Sequence, residues 1–523
     1  MFKLIQKGND DMRSRKALMN TVVSLLLQFV TAVCGFIVPR LIIGTYGSDV
    51  NGLISSITQF LSYITLFEAG VGGVVRAALY KPLADSDLPK LSGIISATEN
   101  FFRKIAYIFI VYMGVVACVY PLIVNRSFGW TYTALLVVII GASTFVQYYF
   151  GLTYMVFLQA DQKRYISSTV QIVTIILNTL SVLLFVKLGA SIHVLKLGTA
   201  LVYILRPIAL NIYVKKKYGI TKNAEPDNSA ISQRWDGLGH HIAYFVNLNT
   251  DVVILTLFSK ISGAFSIAEV SVYTVYYGVV NGVHSITSAL STGMEAALGN
   301  MLAKGEKDNL REKFGLYEFL SYGVTTFFFT CTAILIVPFV SVYTKGITDA
   351  EYIRPAFAYL LVAAYAAYTI RLPYNNLTLA AGHYKQTRNG AFVEAGINVV
   401  VSSVFVYFLG IIGVAIGTLA AMVFRTVQYA WYLSKNILVR SFAIFWKRVG
   451  VSLVCAGLSI FLSTVIPHIN VTSYFTWVIF AVETAVITLA VTLLINYLFF
   501  RTDFIGLAGF VKKMLFSKIF KKK

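Results

Sequence analysis

From position 17 to position 500 the chain alternates long apolar runs with short polar breaks, and within each run the apolar residues are contiguous. A helix needs about 20 apolar residues to cross a bilayer. A membrane-spanning strand would instead show about ten residues of alternating polarity. The runs therefore predict helices over 17–43, 50–80, 101–124, 132–158, 165–186 and 192–214, then over 238–258, 264–290, 319–343, 356–381, 391–409, 411–433, 445–466 and 474–500. Between 391 and 433 the stretch LGIIGVAIG is read as a tight hairpin, because the undivided run is twice the length one span needs. The expected fold class is an all-α membrane protein of fourteen transmembrane helices.

Two six-helix lobes emerge when the chain is compared with itself. Residues 77–91, AALYKPLADSDLPKL, recur 219 positions later as AALGNMLAKGEKDNL at 296–310, with six identities in fifteen positions. Near the same offset Leu188-Gly189 pairs with Leu409-Gly410, Asn178 with Asn398, Gly198-Thr199 with Gly417-Thr418, and Arg206 with Arg425. So long a period means a duplicated half, not a solenoid of short units. The expected organisation is an N-terminal segment (1–16), an N-lobe (17–214), a polar linker containing Pro226 (215–237), a C-lobe (238–433), a C-terminal helix pair (445–500) and a basic tail (501–523). A short amphipathic piece is expected around 88–98. The tail alternates Phe504, Leu507 and Phe510 with lysines, and is expected to lie on the inner leaflet as an interfacial helix, its last residues solvated.

Composition narrows the class. The chain has 523 residues, 57% hydrophobic and 13% charged, and leaves no polar block large enough for a separate soluble domain. The net charge of +21 would suggest nucleic acid in a soluble protein. In a membrane protein it is an orientation signal and an attraction to anionic inner-leaflet lipids. With the N-terminus inside, 34 of the 44 Lys and Arg fall on the cytoplasmic side, seven on the outside and three within helices, which places both termini in the cytoplasm. Cys34, Cys118, Cys331 and Cys455 each sit alone in an apolar run, without disulfide or metal spacing. The first run is long and follows sixteen fairly polar residues, and is read as a retained helix, not a cleaved signal peptide.

Six helices, six helices and a final pair resemble the polysaccharide transporter branch of the multidrug/oligosaccharidyl-lipid/polysaccharide exporter superfamily. Local sequence carries the same resemblance. VPRLIIGTYGSDVNGLISSITQFLSYITLFEAGVGGVVRAAL looks like the opening of bacterial oligosaccharide-lipid flippases, and LAAGHYKQTRNG followed by FLGIIGVAIGTLAAMVFR looks like their second-half loop and helix pair. The resemblance covers 13–440. It implies a V-shaped pair of lobes around a central cavity that opens alternately to either side. The implied cargo is an undecaprenyl-diphosphate-linked oligosaccharide, moved from the cytoplasmic to the outer leaflet of the bacterial inner membrane for surface polysaccharide assembly. A membrane polymerase is the implied partner, and neither a cofactor nor nucleic acid is expected.

Charges inside spans single out candidate residues, since each costs about 2.5–3.5 kcal/mol at the bilayer centre unless it faces water or a partner. Arg371, two positions before Pro373, either meets a diphosphate through paired hydrogen bonds or pins a kinked helix to a carboxylate of its own lobe. Arg206 and Arg425 occupy equivalent places, and equivalence favours a shared structural task. Arg76 sits near the cytoplasmic end of the second helix, where it could greet the diphosphate or serve as positive-inside charge. Glu68, flanked by AGVGG, and Asp251, after Asn247 and Asn249, are candidates for ion coupling or for pairing with an arginine. Glu394 and Glu483 read as arginine partners or interface residues, and His284 as a cavity-facing or hydrogen-bonded core histidine. His240 and His241 read as interfacial. Tyr148, Tyr149, Tyr154, Tyr276 and Tyr277 could stack on sugars or simply pack. Drug-cation antiport is the alternative within the superfamily and would need a net acidic site. A membrane polymerase or ligase would need a large external catalytic loop, and no nucleotide-binding glycine loop, metal-ligand cluster or nucleophile motif is present, so the chain is read as a non-enzyme.

Overall fold

The computed structural model describes residues 2–68, 71–124, 128–221, 224–229, 232, 238–261, 266–289, 292–467 and 469–509. Among these the secondary structure is helical, without a strand. In chain order the helices are α1 (Phe2–Tyr46), α2 (Ser48–Ser62), a 3-10 segment (Tyr63–Glu68), α3 (Val71–Asp85), α4 (Leu88–Val124), α5 (Trp130–Phe150), α6 (Leu152–Ala160), α7 (Arg164–Lys187), α8 (Ile192–Tyr218) and α9 (Leu238–Ile261). There follow α10 (Ala268–Ala289), α11 (Thr292–Ala303), α12 (Lys307–Tyr343), α13 (Pro355–Ile370), α14 (Leu372–Ala380), α15 (Tyr384–Leu409), α16 (Ile411–Asn436), α17 (Ala443–Val465) and α18 (Tyr474–Phe499). Residues 501–509, the start of the tail expected over 501–523, add a final helical stretch, and its remainder from 510 on lies outside the described residues. Two compact units divide the chain, Met1–Ser271 and Val272–Lys523.

The duplication read from sequence is repeated element by element. α4 and α12 are both 37 residues long, and each bound of α12 lies 219 positions after that of α4. α6 and α14 are both nine residues long, at an offset of 220. The expected spans are broken where the repeat breaks them. The span expected over 132–158 ends at Phe150 and restarts at Leu152, and the one over 356–381 ends at Ile370 and restarts at Leu372. Pro373 explains the second break, because it has no backbone N–H and its ring crowds the carbonyl four residues back. Gly151 explains the first. A Cβ there would lie 2.7 Å from the Pro207 Cβ, so α8 approaches the backbone at that point.

The span expected over 50–80 is likewise three pieces, α2, the 3-10 segment ending at Glu68, and α3. Glycines at 70, 72 and 73 weaken helix propensity there. Conversely, the amphipathic piece near 88–98 and the span at 101–124 are one continuous helix, α4. α12 likewise begins at Lys307, twelve residues ahead of the expected start. The hairpin in LGIIGVAIG is present as a one-residue turn. Gly410 adopts φ 57° and ψ −134°, a conformation that side-chain-bearing residues avoid.

Twelve helical stretches among the described residues are long and apolar enough to cross a membrane. The expected spans at 238–258 and 264–290 are the two outside that set. The described apolar part of α9 is the short stretch Asn249–Ser259, and α10 carries Glu269, Ser271, Asn281, His284, Ser285, Thr287 and Ser288. Large apolar side chains such as Leu25, Phe29, Val111, Phe408, Leu453 and Val482 point outward, which suits a lipid surround and not water.

Small residues set the tightest packing. On α16, methyl groups at Gly413 and Gly417 would lie 2.2 Å from the Phe405 carbonyl carbon and 2.1 Å from Ser402 Oγ, so α15 and α16 meet at backbone distance. In the first unit a Cβ at Gly52 would lie 2.1 Å from the Ile267 carbonyl oxygen. Around that contact Asp49 accepts from the Ala268 N–H at 2.9 Å, and Asn51 and Ser56 hydrogen-bond Ser271 and Thr256.

Candidate functional site

The α15 helix presents one buried stripe, Thr387, Gly390, Glu394, Asn398 and Ser402, at the three- and four-residue spacing of a helix face. The opposing stripe of α16 includes Thr418, Met422, Arg425, Thr426 and Tyr429. Glu394 is thereby held where two arginines reach it. Arg371 Nη1 lies 2.5 Å from Glu394 Oε1, and Arg425 Nε lies 3.5 Å from Glu394 Oε2. All three residues are buried, at 6% exposure or less. The group carries two positive charges against one negative, a net +1 inside helices long enough to span a membrane.

Its arginines are used differently. Arg425 donates to the Thr387 carbonyl at 2.9 Å, to Gln428 at 2.5 Å and to the Tyr429 hydroxyl at 2.9 Å, and its guanidinium lies 4.2 Å from the Tyr429 ring centroid. Gly390 leaves the space this requires, since a Cβ there would lie 2.2 Å from Arg425 Nη1. The Arg371 guanidinium makes one hydrogen bond, to Glu394, and lies over the Tyr368 ring at 4.4 Å. The other N–H groups of the guanidinium meet no protein acceptor among the described residues. The break between α13 and α14 puts Arg371 at the junction, where its carbonyl still accepts from Asn375.

His284 extends the group. Its ring stacks on Tyr368 at 4.4 Å, Nδ1 lies 2.8 Å from Thr369 Oγ1, and Nε2 lies 3.2 Å from Ser288 Oγ. The second unit thus gathers His284, Arg371, Glu394 and Arg425 into one continuous set.

The first unit does not gather its candidates. Glu68 accepts from the Tyr148 hydroxyl at 2.9 Å, at the end of the 3-10 segment. Arg76 donates to Gln159 at 2.8 Å. Arg206 reaches Met155 Sδ at 3.4 Å. Asp251 is buried on α9, within electrostatic reach of Tyr63, two residues from the Asn249 that accepts from Gln59. The side chains of His240, His241 and Asn247 lie outside the described residues, and Glu483 is half-buried on α18. The hydroxyls of Tyr148, Tyr154 and Tyr276 are occupied by Glu68, Glu99 and the Tyr352 carbonyl.

A second buried carboxylate escaped the sequence reading. Glu318 on α12 is wholly buried, accepts from Tyr374 at 2.6 Å and pairs with Arg440 and Arg448. It sits beside a polar stretch and reads as a loop charge. The repeat itself would have marked it, because Glu99 stands 219 positions earlier and Tyr154 stands 220 before Tyr374. Among the described residues no group of three or more His, Cys, Asp or Glu could hold a metal ion.

No family model and no curated protein matches the sequence. Solved structures do match. A lipid II flippase, MurJ, in an inward closed conformation aligns with a TM-score of 0.68 at 13% identity, over 92% of this chain and 99% of that one. An inward-facing multidrug resistance MATE family transporter of the MOP superfamily aligns with a TM-score of 0.61 at 12% identity, over 80% and 99%. A point mutant of the Vibrio cholerae MATE transporter VcmN gives 0.54 at 16%, over 82% and 99%.

Proposed function

We propose that this chain, which has the fold of the MOP-superfamily transporters, is a flippase for a lipid-linked oligosaccharide. It carries an undecaprenyl-diphosphate-linked repeat unit from the cytoplasmic to the outer leaflet by alternating access, in support of surface polysaccharide assembly. The observation that carries this reading is the match to a lipid II flippase over 92% of the chain, against 80% and 82% for the two multidrug transporters. The charge of the buried group supports it as well. An antiporter of drug cations needs a site that attracts positive charge, whereas Arg371, Glu394 and Arg425 together carry a net +1.

In this reading Arg371 is the diphosphate contact, because it has N–H groups left after pairing with Glu394, and a guanidinium matches phosphate oxygens in pairs. Arg425 and Glu394 hold it in place. Arg76 meets the headgroup on entry, and Glu68 and Asp251 are the candidates for ion coupling. The chain is expected in the bacterial inner membrane with fourteen spans, α9 and α10 completing the twelve, and both termini in the cytoplasm near anionic lipid.

Deletion of the gene tests the proposal. The expected result is accumulation of lipid-linked repeat units on the cytoplasmic side and loss of surface polysaccharide, both restored by the wild-type gene and not by Arg371→Gln. Normal surface polysaccharide without accumulation overturns it, and sodium- or proton-driven efflux of a cationic dye would transfer the chain to the multidrug branch.

A further inference from the structure

Each repeat contains the same pair, a tyrosine three residues after the helix break reaching a glutamate on the 37-residue helix. Tyr154 donates to Glu99 and Tyr374 to Glu318. The surroundings differ. Glu99 is met by Arg103 on its own helix and by Lys215 at the end of α8, both of them half-exposed. Both basic partners of Glu318 come from beyond the repeat, Arg440 from the turn before α17 and Arg448 from α17.

Arg448 then continues outward. Its Nη2 lies 2.9 Å from Asp503 Oδ2, and its guanidinium lies over the rings of Phe500 and Phe319, at 5.0 and 5.7 Å. Phe319 also meets Phe504, and Gly506 sits against Leu316, whose Cδ2 would be 3.2 Å from a Cβ at 506. One carboxylate therefore ties together α12, α14, the turn after α16, α17 and residues 501–509.

We propose that Glu318 is the anchor that fastens the C-terminal helix pair and residues 501–509 to the six-helix repeat of the second unit, so that this extension moves with α12 and α14 as one body. The repeated Tyr–Glu pair holds each short helix to its long neighbour, and the second copy has been enlarged into a junction for the added helices. This inference is independent of the transported substrate.

The test uses the full-length protein in detergent carrying Leu316→Cys and Gly506→Cys, a short thiol cross-linker, and mass spectrometry to separate this link from links made by the four native cysteines. Glu318→Gln should lower the 316–506 link about tenfold or more, since it leaves Arg440 and Arg448 buried without their counter-charge in the docked arrangement. Glu99→Gln should leave the link unchanged. An undiminished link in Glu318→Gln overturns the proposal, as does equal loss in Glu99→Gln. Should Glu318→Gln fail to fold, Arg448→Lys decides. It keeps the charge, but a single ammonium lacks the fork that spans Glu318 and Asp503. A link lost there supports the anchor and a link retained overturns it.

Discussion

The two units share a skeleton and differ in what they bury. At the helix break the first unit has Gly151 and the second has Arg371. Where the second unit has Glu394 the first has Thr174, whose hydroxyl bonds to the Gln171 carbonyl one turn back. Arg206 and Arg425 stand at equivalent positions, yet one rests against a thioether and the other is enclosed by Glu394, Thr387, Gln428 and Tyr429. The long α4/α12 pair, the two helix breaks and the Tyr–Glu pair recur in both copies, while the charges that surround the equivalent arginines differ. A charge in a span is stabilised where its counter-charge and hydrogen-bond acceptors are built with it, and among the described residues the Arg371–Glu394–Arg425 set stands in the second copy.

The largest expected effect comes from removing the carboxylate the first copy lacks. Glu394→Gln leaves two guanidiniums buried without a counter-charge, and should destabilise the second unit by about 3–5 kcal/mol, read as a fall in the thermal unfolding midpoint in detergent. A change under about 1 kcal/mol would erase the distinction between the copies.

Next comes the matched pair Arg425→Gln and Arg206→Gln. The first should cost about 3 kcal/mol or more by stripping Glu394 of its second partner, and the second about 1 kcal/mol or less. Equal losses would mean that position, not partner, sets the energetics.

A smaller and symmetrical effect is expected where the copies agree. Tyr374→Phe and Tyr154→Phe each remove a hydrogen bond to a carboxylate and should each cost about 1.5–3 kcal/mol, with the second-unit variant at the upper end because Glu318 is fully buried.

The smallest effect is a pH dependence in the first unit. Burial raises the Asp161 carboxyl, but hydrogen bonds from Lys163 and Tyr218 and the charges of Lys163 and Lys16 outweigh it, so the group sits below its usual value. A depressed carboxylate adds stability above its unfolded pKa of about 3.9, and that stability is lost as pH falls through the lower folded value. Asp161→Asn should remove about 1 kcal/mol at neutral pH and nothing at pH values below both, measured by unfolding at the two pH values.

Most of the architecture was legible in the chain because bilayer thickness turns composition into helix length. The breaks were legible only where chemistry announces them, as Pro373 does. Gly151 gives no such notice, since its role depends on Pro207 arriving from another helix. The amphipathic piece at 88–98 was expected, but its continuity with the span at 101–124 was not, because Glu99 and Asn100 look like a break when read linearly. Arg371 was found as a costly charge. Its carboxylate 23 residues away could not be chosen over the other embedded acids, because pairing across helices has no fixed spacing. Glu318 was overlooked for the opposite reason: as a charge beside a polar stretch it had nothing unusual about it until its repeat partner was considered.

The single-residue turn at Gly410 leaves the α15–α16 hairpin with no slack. A helix that ratchets past its neighbour by one turn shifts about 5.4 Å, and no loop there could lengthen to permit it. Glu394 and Arg425, one on each arm, are therefore locked in register. Any rearrangement within this group must be taken up on the third side of the triad, where Arg371 rides a separate, already interrupted helix.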